Sequence, residues 1–562
     1  MLFLIMLLLS GCASKGPITG GPVDEIPPRI IETFPVSKSL NVSRNVKVSL
    51  KFNENMNRGS VGSSIFISPT PKVNPEFTWK GYKKLEIRFM EKLEEDRTYV
   101  VSIGGNATDA HKVSFDETYT LAFSTGNRID KGTISGKIYG KYKIKNTLVF
   151  AYLMEETADI SPDSLKPDYI THLSNDGMFR FNFLSNGKYR LFAVEDDNQN
   201  RVFNSAKDRI AISPSPDIII SEEDTSSFIS FYKFASVDTL KPRALTILSL
   251  DNSHLKFRAL EPLVFPVSTD SIWIIGATDR NKYYPISIYP DVENKNIVHL
   301  HFAEQSPETD FELYLGAFKD SSGNSMDSSS VLKAFTFSAG IDSIPPKLIS
   351  VDKGSISNFI YLHDRLKIKF SEAVSEESKD SSLIIYDAGN ENVPFAIKTV
   401  YPNVWEVYPE KGWTSNESYS LHINLEELRD LSGNPVADSV WTMKFRTINT
   451  DTFGIISGTI ITEPEFDIPL YVSAGRVKGR GREISTKVSA EGKFRLEELI
   501  PGKYFLNIFE DRDRNGVYSM GSLSPYLNSE LYFQSPDTVS VRSRWETSDH
   551  TIDFRKRILI GE

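Results

Sequence analysis

Two blocks of this chain recur at nearly constant distances, and that repetition limits the fold more than any single residue does. Ile26-Pro27-Pro28-Arg29 returns as Ile344-Pro345-Pro346-Lys347, 318 residues later. Close to the same offset, Val46 to Glu54 meets Arg365 to Glu372, with Phe52 and Phe370 in register. The blocks close on matching strings, Leu121-Ala122-Phe123-Ser124-Thr125 and Met443-Lys444-Phe445-Arg446-Thr447. A second unit repeats independently at 315 residues: Gly177-Met178-Phe179-Arg180, Gly187-Lys188-Tyr189-Arg190-Leu191 and Glu195-Asp196 match Gly492-Lys493-Phe494-Arg495, Gly502-Lys503-Tyr504-Phe505-Leu506 and Glu510-Asp511. Such repetition at fixed spacing indicates duplication of a two-domain module.

A length of 562 residues predicts about four domains, and the repeats raise this to five. The expected units are 27–126, 131–236, 241–340, 343–447 and 450–558. The repeated strings alternate apolar and polar residues, as a strand does when one face meets a core. No apolar pattern of helical period is sustained, and only Glu54 to Arg58 and Glu426 to Leu428 read as short helical turns. With 23 Tyr, 35 Phe and frequent Gly, Pro, Asn and Asp punctuation, the expected fold class is all-β: a tandem array of antiparallel β-sandwiches.

Particular motifs carry family resemblances. The Pro-Pro entry, the strand ending Phe-x-Glu (Phe52 to Glu54, Phe370 to Glu372) and the closing Phe-x-Thr strand resemble bacterial Ig-like domains of the S-layer type. The middle unit departs from them: Leu255-Lys256-Phe257 runs into Arg258-Ala259, so its Phe-x-Glu is missing. Ser135-Gly136-Lys137-Ile138, Asn175-Asp176-Gly177 and Gly187-Lys188-Tyr189 resemble carboxypeptidase-regulatory-like and Cna-B-like sandwiches. So do Ser457-Gly458-Thr459-Ile460, Glu491-Gly492-Lys493 and Pro501-Gly502-Lys503-Tyr504. These motifs mark turns and core strands, so they imply a fold without a ligand.

Cys12 is the single cysteine. It follows the apolar run Leu2 to Leu9, which is too short to span a bilayer and reads as a signal-peptide core. Leu9-Ser10-Gly11-Cys12 resembles the lipobox of bacterial lipoproteins, which implies removal of 1–11 and acylation of Cys12. Residues 12–26 then form a lipidated tether, and Ala13 after the cysteine implies sorting to the outer membrane. The n-region is Met1 alone, which leaves the true start open. Without disulfides the domains must stand on their hydrophobic cores. A net charge of −10 with dispersed basic residues argues against a nucleic-acid footprint.

Asp511-Arg512-Asp513-Arg514-Asn515-Gly516-Val517 has the alternating oxygen donors of a calcium loop's first half. Asp511, Asp513 and Asn515 side chains with the Val517 carbonyl are the candidate ligands. The twelfth position is Ser522, not the bidentate Glu. The competing reading is an Asp/Asn-rich hairpin turn closed by its own hydrogen bonds. The earlier copy, Asp196 to Arg201, lacks the glycine and one carboxylate. His299 and His301 share one strand face, read as solvent-facing, with Val298, Leu300 and Phe302 toward the core. Trp405 reads as core, and Trp413, beside Gly412, as the tryptophan most suited to an exposed glycan platform.

No Gly-x-Ser-x-Gly elbow or His-Glu-x-x-His helix occurs, and no catalytic residue is assigned. The sequence reads as a non-enzymatic, membrane-anchored envelope lipoprotein with a structural, spacer or adhesive role toward an unidentified protein or glycan. The alternative is a carbohydrate-binding accessory lipoprotein of a polysaccharide-processing system. No cofactor is expected beyond calcium at the Asp511 loop.

Overall fold

The computed structural model describes residues 24–555 apart from 141–145, 155–161, 164, 175, 206, 233, 237–240, 327–330, 355–358, 378, 437, 464–466, 479–480 and 524. Cys12, the apolar run before it and most of the tether lie outside the described residues. The described chain is a tandem array of antiparallel β-sandwiches, as the sequence predicts, with one α-helix. None of its helices is long and apolar enough to cross a membrane. The chain divides into two compact units: residues up to Val202 with Pro216–Ile229, and Phe203–Ser215 with Ser230 onward.

The first unit opens with a sandwich of four strands over three. One sheet runs in the order Ile30–Phe34, Lys47–Phe52, Lys84–Arg88, Glu76–Lys80, and the other Ile65–Ser68, Thr98–Ile103, Tyr119–Ser124. Alternation along Lys47–Phe52 sends Val48, Leu50 and Phe52 into the core and leaves Lys47 and Lys51 outside. Each such burial contributes about 1.5–3 kcal/mol relative to exposure. Glu54 to Arg58, expected as a turn, instead leads into a helix at Arg58–Ser64. Two glycines and three serines make this a poor helix former. It holds because Asn57 Oδ1 accepts the N–H groups of Gly59 (3.1 Å) and Ser60 (3.2 Å), and because Val61 is fully buried. The second 3₁₀ or helical turn expected, near Glu426, is a 3₁₀ turn at Leu425–Glu427.

The next sandwich pairs Tyr169–His172, Thr147–Leu153 and Gly187–Glu195 in one sheet, and Met178–Leu184 with Gly132–Tyr139 in the other. Phe179 lies opposite Gly136, and a Cβ on that glycine would stand 2.4 Å from the Phe179 ring. The later copy repeats this, with Phe494 opposite Gly458. Tyr189 donates its hydroxyl to Ser185 O (2.8 Å), and Tyr504 donates to Ile500 O (2.6 Å). Phe52 and Phe370, like Phe179 and Phe494, are buried in equivalent places.

In the second unit, Leu348–Asp352, Leu366–Phe370, Val404–Pro409 and Phe395–Tyr401 reproduce the first sheet order, facing Leu383–Tyr386, Ser418–Asn424 and Val440–Arg446. The middle sandwich uses that order too: Ala244–Ser249, His254–Ala259, Ile297–His301, Ser287–Pro290. Its register corrects the sequence reading. Ala244 pairs with Ala259 as Ile30 does with Phe52 and Leu348 with Phe370. Leu263 bridges Asp320 as Met56 bridges Asp109 and Val374 bridges Asp430. Glu261 therefore stands where Glu54 and Glu372 stand, and Ala259 takes the phenylalanine's place. Matching by Phe257 put the comparison two residues out of step.

The last sandwich packs Lys493–Leu499, Gly454–Ile461 and Glu546–Asp553 against Ile484–Lys487, Leu470–Arg476, Gly502–Glu510 and Tyr532–Val541. The returning segment Phe203–Ser215 and Ser230 onward docks on it. Ser529 Oγ donates to Ile212 O (2.8 Å), Ser230 Oγ donates to Tyr532 O (2.7 Å), and Tyr232 stacks on Tyr532 at 3.5 Å.

Candidate functional site

The strand Gly502–Glu510 ends by delivering Asp511, almost wholly buried, into the predicted loop. Its two oxygens take backbone N–H groups from Asn515 (2.9 Å) and Gly516 (3.0 Å), the latter at φ +76°. Asp513 Oδ2 accepts from Asn515 Nδ2 (2.9 Å) and Ser519 Oγ (2.6 Å), and Asn515 Oδ1 accepts from Val517 N (2.6 Å). Asp511, Asp513 and Asn515 thus converge, while the Val517 side chain points to solvent. The structure adds Glu530, which sequence spacing had missed. It is buried and accepts from Arg512 N (2.7 Å) and Ser519 N (2.9 Å). Burial, helped by the charge of Asp513, holds its carboxyl above the usual range against the lowering effect of the backbone N–H groups it accepts from. Oxygens of Asp511, Asp513 and Glu530 lie within 4.8 Å of one another. No loop pattern could place Glu530, because it arrives from the segment beyond the small hairpin of Ser522–Leu523 and Tyr526–Leu527.

The loop also docks. Arg512 forms an ion pair with buried Glu510 (2.8 Å) and donates Nη1 to Pro214 O (2.9 Å). Tyr518 donates to Tyr232 O (3.1 Å). The earlier copy uses the same skeleton: Asp196 accepts from Asn200 N (3.1 Å) and Arg201 N (2.7 Å). Arg201 occupies the place of Gly516 at φ +64°. Its guanidinium donates to Gly62 O (2.9 Å) and Ser63 O (3.0 Å), the carbonyls at the end of the helix, and lies 4.7 Å over the Phe66 ring. His172 packs on the same Phe66 ring, 4.5 Å between centroids, and burial lowers its pKa to about 4.

Two expected surface features are buried instead. His299 and His301 do face away from Val298, Leu300 and Phe302, but that second face is covered. His254 Nε2 and His299 Nδ1 share a hydrogen bond of 2.8 Å, and His301 Nε2 pairs with the Tyr289 hydroxyl at 2.9 Å. Tyr289 also accepts from Ala373 N (3.1 Å), and Asn403 donates to Pro290 O (3.0 Å), so the next sandwich seals the face. Burial brings His254 down to about 2 and His301 to about 3. The alternation correctly gave two faces, but a sheet between two domains has no solvent side. Trp413 is likewise no platform. Its indole N–H donates to Asp364 O (2.8 Å), and its ring packs on Tyr419 and Phe445. Trp405 is fully buried, as expected.

Residues 24–125 and 342–447 match the family model of the bacterial Ig-like domain. No curated protein is significantly similar in sequence. Among solved structures, an L,D-transpeptidase from Mycobacterium smegmatis is similar at 17% identity over 23% of this chain and 56% of its own, with a TM-score of 0.15. The N-terminal part of the bacterial S-layer protein SbsC gives 13% identity, 38% and 45% coverage, and a TM-score of 0.16. The major pilin subunit of Bacillus cereus gives 10% identity, 76% and 99% coverage, and 0.15. The chain thus spans about half the length of the first two. With TM-scores this low, the likenesses say nothing about what this chain does.

Proposed function

We propose that this chain is a non-enzymatic cell-envelope protein, anchored by lipid on Cys12, whose sandwiches act as a spacer that presents its loops to an envelope protein or glycan. The observation that carries this is how adjoining sandwiches are fastened. Ala373 N to Tyr289, Asn403 to Pro290 O, and Asn434 Nδ2 to Asp342 O (3.2 Å) fix the middle sandwich to its successor through buried or half-buried contacts. Such joints serve the transmission of position, and they add no reactive group. The two Ig-like matches fit an envelope role. Burial of Trp413 removes the one platform that the sequence singled out for the carbohydrate-accessory reading.

Two experiments test the proposal. Cys12→Ala should move the protein from membranes to the soluble fraction and abolish labelling by a fatty-acid probe; unchanged fractionation would overturn the anchor. Tyr289→Phe combined with Asn403→Ala should broaden the distance distribution between spin labels on the middle sandwich and its successor. An unchanged distribution would show that these contacts do not fix the joint.

A further inference from the structure

The joint between the middle sandwich and its successor is built on histidines. Strand pairing sets His254 opposite His301, and His299 opposite both Lys256 and Tyr289, so the three imidazoles and the phenol share one sheet face. The three histidines and Tyr289 are buried there, and His254 stacks on His301 with ring centroids 3.8 Å apart. Imidazole is the side chain whose charge ordinarily changes between about pH 5 and pH 8. Three of them sealed under a neighbouring domain tie the seal to pH.

The hydrogen bonds assign the protons. The Asp291 carboxylate lies 3.2 Å from His299 Nε2 and only accepts, so His299 donates there, and its bare Nδ1 accepts from His254 Nε2 at 2.8 Å. Tyr289 accepts the Ala373 N–H across the joint at 3.1 Å and gives its own O–H to His301 Nε2 at 2.9 Å. All three imidazoles are neutral in this arrangement. One added proton can be shared by the His254–His299 pair, which has Asp251 Oδ2 4.0 Å from His254 Nδ1 and Asp291 at its other end. A second would set N–H against N–H across 2.8 Å. A proton on His301 would turn an acceptor into a donor and leave the Tyr289 O–H without its partner. Among the described residues no carboxylate pairs with His301, and Lys256 adds positive charge beside His254.

We propose that this joint is an acid-released latch, shut while its three histidines hold no more than one proton between them and opened as the medium acidifies. Once the sandwiches part, each histidine can be protonated, so opening takes up two protons or more. Each such histidine weakens closure about tenfold per pH unit below its ordinary value of roughly 6.5, or about 25-fold between pH 7 and pH 5. The acidic groups at the same joint oppose this. Glu372, from the next sandwich, faces Asp342, Asp430 and Asp251, and burial followed by those charges raises its carboxyl to about 8. It takes its proton more readily in the closed joint, so acid favours closure there, by about 70-fold at most over the same interval. Two histidines outweigh it. The latch rests on the fixed joint of the proposed function and is independent of the anchor.

Hydrogen exchange on the full-length chain, corrected for the intrinsic rate, reads the latch at the Ala373 amide, with the amides of Leu366–Phe370 as a control for the sandwich itself. From about pH 7 to pH 5 the protection of Ala373 should fall about tenfold in the wild type and roughly 600-fold in Glu372→Gln, where the opposing group is gone. The control amides should keep their protection. His301→Gln keeps an acceptor for Tyr289 but does not titrate, so adding it to Glu372→Gln should cut the response to about 25-fold. Should a variant fail to fold, the wild-type pH series decides alone. An unprotected Ala373 at neutral pH would overturn the fixed joint and the latch together. Protection that does not fall with pH would overturn the latch and leave the joint standing. An equal loss in the control amides would make the effect an unfolding of the sandwich, and would overturn the latch as well.

Discussion

The loops after Glu195 and Glu510 began as the same object and now do different work. Both start on a buried aspartate whose oxygens close the turn on backbone N–H groups, four and five residues on. The later loop keeps glycine at the left-handed position, gathers Asp513 and Glu530 beside Asp511, and leans on the returning segment through Arg512 and Tyr518. The earlier loop accepts backbone strain at Arg201 in order to cap a neighbouring helix. Duplication preserved what closes the turn, while the side chains diverged with whatever each loop met.

Arg201→Ala is the strongest way to break this contrast. It forfeits two charge-assisted hydrogen bonds and the stack on Phe66, so the first unit should lose about 2–3 kcal/mol in urea unfolding. Arg201→Gly restores the later copy's residue and relieves about 1 kcal/mol of left-handed strain, so it should cost less. Equal losses would mean that the strain is immaterial.

His172 offers a pH test, because its counterpart 315 residues on is the solvent-accessible Lys487. Its folded pKa of about 4 lies below the ordinary 6.5, so the unfolded chain binds the proton more readily. Its contribution is fully present above pH 6.5 and is lost as pH falls toward 4. At pH 5 the loss should be about 2 kcal/mol. His172→Phe should flatten the first unit's stability between pH 7 and pH 5, roughly half a unit above and one and a half units below the ordinary value; an unaltered slope would assign it elsewhere.

Asp196→Asn and Asp511→Asn each remove one of two acceptors and should accelerate exchange of the amides they cap by an amount equivalent to about 1–2 kcal/mol. In chelator the effects should match. An added penalty at Asp511 alone in millimolar calcium would make that loop an ion site, and matching effects in both media would leave it as turn chemistry. The smallest effect is Asn57→Ala, about 1 kcal/mol for a lost N-cap. It should be less than additive with Arg201→Ala, since both hold the ends of one helix.

The sequence by itself determined the all-β class, the registers of the two duplicated pairs, the buried phenylalanines and the aspartates that close turns. These are local or periodic properties: alternation chooses faces, and Asp, Asn and Gly choose turns whatever surrounds them. Tertiary structure decided what each face meets. His299 and His301 became interior because a second sandwich covers their sheet, and Trp413 because Tyr419 and Phe445 close over it. The helix at Arg58–Ser64 forms against its own propensity, held by Asn57 and Arg201. Glu261 found its register only through strand pairing, and Glu530 joined Asp511 from 19 residues away in sequence. Contacts between segments distant in the chain leave no periodic trace, so only the folded arrangement reveals them.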